Sequence, residues 1–116
     1  MSTAVINPAN LHGVVNACTQ DCIIVITRLA QRLPEDARRE LSLNLCHYCS
    51  AKAIGADHSF HIPLNGDRQV PSAATEAADK IECLADKWAL TNTVGMRPLY
   101  SRIIAALACH PLFVAI

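Results

Sequence analysis

Leu11, Val15, Cys18, Cys22, Val25 and Leu29 succeed one another at spacings of four, three, four, three and four residues, and this stripe restricts the fold more than any other feature. A helix turns once in about 3.6 residues, so such a series falls on one face and needs a partner surface to cover it. A strand would show alternation at every second residue instead. Gln20, Asp21, Thr27, Arg28 and Gln31 fall largely off the stripe and can face water. Asn7 followed by Pro8 suits a helix start, with a capping side chain and then a residue whose missing N–H costs nothing. Pro34 disfavours helical geometry at Leu33, which predicts a first helix over about 8–33.

Glu35 and Asp36 after Pro34 suit the positive end of a second helix. Ala37, Leu41, Leu45, Cys49 and Ala53 then recur every four residues with Cys46 beside them, and Gly55 is a natural stop, giving a helix over about 34–54. So short a link predicts that these two helices lie antiparallel and side by side. Beyond Gly55 the pattern alternates: Phe60, Ile62 and Leu64 share one side, Asn65-Gly66 suits a type I′ turn and Val70 closes a second segment. A short hairpin over about 59–70 is expected, with Pro63 confining its strand to an edge.

Ser72 is the expected cap of a third helix over about 72–91, whose stripe is Ala74, Ala77, Ile81, Leu84 and Trp88. A fourth, over about 97–109, begins near Pro98, turns Leu99, Ile103 and Leu107 inward and ends before Pro111. The apolar tail that follows should pack on the bundle or on a neighbouring subunit. The expected fold is therefore mainly α: one domain over 1–116, a four-helix antiparallel bundle with a short β-hairpin between the second and third helices.

At 116 residues the chain suits a single core, yet it is 52% hydrophobic with only 4% aromatic residues. That is more apolar surface than one small core hides, so a homo-oligomer is expected. Ten basic residues balance ten acidic ones, leaving no net field to draw in nucleic acid. The N-terminal ten residues lack the basic and apolar regions of a secretion signal. The longest aliphatic run, Ile23–Ile26, falls far short of the roughly 20 residues of a membrane span. A cytoplasmic location without membrane contact is expected.

Six cysteines in such a setting point to free thiols or metal ligands rather than disulfides. Cys18 and Cys22 on the first helix, with Cys46 and Cys49 on the second, have the chemistry for zinc or Cu(I), provided the two helices bring them level. Cys22 and Cys46 each lie about 12 residues from the link, and Cys18 would meet Cys49 one turn further out. Against this stands the ordinary use of thiols as small hydrophobes in a core. Asp57, His58 and His61 form a second combination suited to a divalent metal or to proton transfer. Cys83, flanked by Lys80 and Lys87, has the surroundings of a reactive thiol, and His110 after Cys109 suits a helix end.

Leu84 to Ile104, with Arg97 and Arg102, has the outline of a helix-turn-helix, although Pro98 falls where a recognition helix would begin reading. Phosphate loops, zinc-protease helices and nucleophile elbows are absent from the sequence. The expected function is that of a non-enzymatic interaction or regulatory protein without a cofactor, binding another protein through Phe60, Ile62, Leu64, Leu112, Phe113 and Val114. The alternatives are a cysteine-based metal site at Cys18, Cys22, Cys46 and Cys49, and a DNA-binding regulator.

Overall fold

In the computed structural model, residues 8–55, 70–88 and 93–113 are described. They form four helices, α1 (Pro8–Ala30), α2 (Glu35–Ala53), α3 (Val70–Lys87) and α4 (Thr93–Cys109), and the described residues include no strand. The expected hairpin falls on residues 59–69, outside the described ones, and Val70, expected to close it, instead opens α3. Pro71 explains that start, since a helix's first turn has no use for its missing N–H. Ser72, expected as the cap, is already inside the helix.

The other ends follow local chemistry. α1 closes three residues earlier than the position of Pro34 suggests, because the backbone tightens: Arg32 N–H donates to the Leu29 carbonyl at 3.2 Å and Leu33 N–H to that of Ala30 at 3.0 Å. The Arg38 guanidinium then donates to the Leu33 carbonyl at 2.8 Å. Pro34 caps α2 in an extended conformation, and Gly55 follows its end at φ 77°. α3 ends at Lys87, before the expected Thr91, with the Trp88 N–H shared between the carbonyls of Leu84 and Ala85. α4 begins at Thr93, ahead of the expected start, and carries Pro98 inside it. Pro98 is exposed, so its ring needs no room in the core, but in the second turn of α4 it removes the bond to the Val94 carbonyl and crowds that carbonyl.

Packing overturns one expectation. α1 and α2 are not side by side: each packs on both α3 and α4, and the two lie diagonally across the bundle from one another. Helix axes pack about 8–10 Å apart, which makes a diagonal about 11–14 Å. Residues 31–33 continue α1 as a tight turn, and the extended Pro34 completes the link to α2 across the diagonal. Small residues on the inner faces, among them Cys18, Cys22, Cys49, Ala74, Ala77 and Ala78, let the helices converge.

Contacts between elements also give their directions. Arg102 reaches His12 and His110 reaches Thr27, so α1 and α4 run the same way. Tyr48 meets Tyr100 while Gly55 lies against Arg97, so α2 opposes α4. Glu76 and Lys80 face the end of α1 while Glu82 reaches Lys52 near the end of α2, which sets α3 along α2. Two helices run each way, and residues 56–69 link the end of α2 to the start of α3 at the opposite end of the bundle.

The core is a continuous cluster of Val15, Cys18, Cys22 and Ile26 from α1, Leu41, Leu45 and Cys49 from α2, Ala77 and Ile81 from α3, and Met96, Leu99, Ile103 and Leu107 from α4. Full burial of each Leu or Ile there contributes about 1.5–3 kcal/mol. Phe113 closes one end, 2% exposed, its ring 5.6 Å from that of His110. Leu11–Ala30 of α1 is long and apolar enough by length and composition to cross a membrane, a property that the short aliphatic run conceals because Leu11, Val14, Val15 and Leu29 lie outside that run; in the bundle 33% of it is buried.

Candidate functional site: a buried thiol and tyrosine cluster

About three to four turns from the start of α1, the inward stripe places Cys18 and Cys22 one turn apart, both wholly buried. The Cys22 thiol bonds to the Cys18 sulfur. That bond holds the proton on Cys22 and pushes its pKa far up, with burial adding to the effect, while it draws the pKa of Cys18 down against burial and the nearby Asp21 charge. Residues i and i+4 of a helix hold their Cβ atoms about 5–6 Å apart, against about 3.5–4.5 Å in a disulfide, so this pair cannot be oxidised to one without unwinding α1. All six cysteines are free thiols.

Cys49 reaches the same region from α2. Burial raises its pKa to about 12, with the Cys46 thiol adding to the shift, and its charge acts in turn on Cys22. Cys46 is only half-buried; burial raises its pKa, partly offset by the adjacent Ser42 hydroxyl. The expected register paired Cys22 with Cys46, but Cys49 is the thiol whose charge Cys22 feels. The diagonal placement of α1 and α2 is the reason, since only the innermost position of α2 looks across the core. Among the described residues, no group of three or more His, Cys, Asp or Glu side chains is disposed to hold a metal ion.

Sequence reasoning missed the tyrosines. Tyr48 and Tyr100 are each 3% exposed and meet edge to face with ring centroids 6.3 Å apart. Burial pushes both phenols above the ordinary range, and the Glu82 charge reinforces this. Lys52 Nζ donates to Glu82 Oε2 at 2.8 Å and lies 5.5 Å from the centre of the Tyr48 ring. That hydrogen bond from Lys52 pulls the Glu82 carboxyl below its usual range, with the Tyr48 hydroxyl assisting. Tyr48 lies three residues after Leu45 and one before Cys49, so its place on the inward stripe was readable from the spacing. The cluster therefore gathers weak acids, of which Cys22, Cys49, Tyr48 and Tyr100 are held in the protonated form while Cys18 is shifted the other way, beneath an ion pair at the surface.

Other expected site residues are dispersed. Asp57, His58 and His61 lie outside the described residues, as do Phe60, Ile62, Leu64 and Val114. Phe113 is taken up by the chain's own core and Leu112 is half-buried. Cys83 and Cys109 are exposed, and Lys80 beside Cys83 pairs with Glu76 at 3.2 Å. Arg97 packs over Gly55, while Arg102 Nη2 lies 3.0 Å from His12 Nδ1. His110 Nδ1 accepts from the Leu112 N–H at 3.2 Å, so its Nε2–H points to the Thr27 hydroxyl at 3.5 Å.

Fold and site together define a helical bundle with a thiol-lined core. Comparisons of this chain with family models, with curated proteins and with solved structures find no match.

Proposed function

We propose that this chain is a small, non-enzymatic helical protein that acts by binding another protein and that assembles with copies of itself. The observation that carries the reading is the outward face of α2. Leu43 and Ile54 are 43% and 75% exposed. They lie on one stripe with His47 and Ser50, about 16 Å apart at 1.5 Å per residue. Each exposed large apolar side chain gains free energy when a second surface covers it. The thiol cluster, by contrast, offers a substrate no approach, because Cys18, Cys22 and Cys49 are all wholly buried. Sedimentation equilibrium tests the assembly. The native chain is expected to exceed its 12.5 kDa monomer mass, and a Leu43→Ser/Ile54→Ser variant to return towards it. A native chain that remains monomeric at high concentration overturns the assembly.

The second reading is a soft-metal site, favoured by the adjacent Cys18 and Cys22 sulfurs with Cys49 nearby. Thiolates select Cu(I), which two sulfurs can hold. Metal content after reconstitution under reducing conditions, compared with a Cys18→Ser/Cys22→Ser variant, decides it: equal and negligible copper in both ends the reading.

A further inference from the structure

A cleft of about 290 Å³ opens between α1 and α3, lined by Val25, Arg28, Leu29 and Arg32 on one wall and by Glu76 and Lys80 on the other. Its charges are unevenly committed. Glu76 and Lys80 neutralise each other through an ion pair at 3.2 Å. Arg28 and Arg32 stand one turn apart, both exposed, and neither guanidinium has a hydrogen-bond or ion-pair partner among the described residues. Among the described residues, therefore, nothing pairs with the two positive charges that the cleft gains from Arg28 and Arg32, planar forks whose donors match the oxygens of a tetrahedral anion. Between them the floor is apolar: Leu29 is 5% exposed and Val25 is half-buried. The volume is near the lower edge of the roughly 300–1,000 Å³ typical of small-molecule sites, which suits a compact ligand.

We propose that this cleft binds a small phosphate monoester, its phosphoryl group held between Arg28 and Arg32 and its apolar body lying on Val25 and Leu29. A phosphate monoester carries about −1.5 to −2 charges near neutrality and so matches the charge of the Arg28 and Arg32 guanidinium groups, where a monocarboxylate matches only one of them. The ion pair on the far wall has a role in this arrangement. It keeps Lys80 from adding a third free charge and keeps the Glu76 carboxylate from repelling the ligand.

Phenyl phosphate, inorganic phosphate and benzoate are the probes, followed by amide chemical shifts of the full chain. Phenyl phosphate is expected to shift the signals of residues 25–32 and 76–80, with benzoate and inorganic phosphate each binding at least tenfold more weakly. An Arg28→Gln/Arg32→Gln variant should lose about 100-fold in affinity for phenyl phosphate, consistent with two charge-assisted bonds. Its unfolding temperature should stay unchanged, which separates lost binding from lost folding. Phenyl phosphate shifts that are absent at millimolar concentration, or that persist in the variant, overturn the proposal. Benzoate binding as tightly as phenyl phosphate overturns the choice of a dianion, and inorganic phosphate doing so overturns the apolar floor.

Discussion

Replacing Gly55 with alanine strikes the bundle at one backbone position in two ways. Gly55 follows the end of α2 at φ 77°, a region where an L side chain costs about 1–2 kcal/mol. The added Cβ would also run into the Arg97 guanidinium, which lies directly over the glycine. Driving that side chain off its preferred rotamer costs about 0.5–1.5 kcal/mol more. The expected loss is about 2–3 kcal/mol, which for a chain of this size lowers Tm by about 6–15 °C. Thermal unfolding followed by circular dichroism reads it. Placing Gly55→Ala in an Arg97→Ala background should remove the steric part and leave about 1–2 kcal/mol of backbone cost. A Tm unchanged within two degrees or so by Gly55→Ala refutes both parts of the reasoning. An equal penalty in the two backgrounds refutes the part assigned to Arg97.

Gly13 offers the opposite case: it lies inside α1 with nothing within 4 Å of where a Cβ would stand, so Gly13→Ala should stabilise the protein by about 0.5–1 kcal/mol in the same assay. A loss of stability there would mean that Gly13 lies outside the regular part of α1. The thiol cluster predicts alkaline sensitivity. The folded-state pKa of Cys49 is raised to about 12, so the contribution is whole below the unfolded-state pKa near 9.0 and is lost as pH rises from there through 12. At about 1.36 kcal/mol per unit this amounts to up to about 4 kcal/mol, and Cys49→Ala should flatten the fall in urea midpoint above pH 9.

Much of the bundle was legible because stripe spacing records helix faces directly. Val15, Cys18, Cys22 and Leu29 are buried as the first stripe requires, and so are Leu41, Leu45 and Cys49 on α2. Where the stripe is wider than one residue per turn, the reading slipped. Ile26, wholly buried, lies next to Val25, which is only half-buried, and on α3 Ala78 and Ala85 are in the core while Leu84 and Trp88 are at its edge. Small residues decide that outcome, since an alanine at the closest approach of two helices is more enclosed than a leucine beside it. The order of the helices around the bundle was not legible. Sequence periodicity says which face is inward but carries no information on which partner covers it, and a four-residue link reaches a diagonal neighbour as readily as an adjacent one. The register drawn between α1 and α2 assumed that the two helices were neighbours, and they are not. The Lys52–Glu82 pair and the Tyr48–Tyr100 contact join residues 30 and 52 positions apart, and only the packing of α2 on α3 and α4 makes them neighbours.

Three thiols are sealed in the core while two stand at the surface, and counting reactive thiols with a disulfide-exchange reagent measures this. In the native protein Cys83 and Cys109 should react at once and Cys46 slowly, with Cys18, Cys22 and Cys49 modified only when denaturant opens the bundle, after which all six react. Rapid reaction of four or more thiols under native conditions would contradict the packing of α1 and α2 described above.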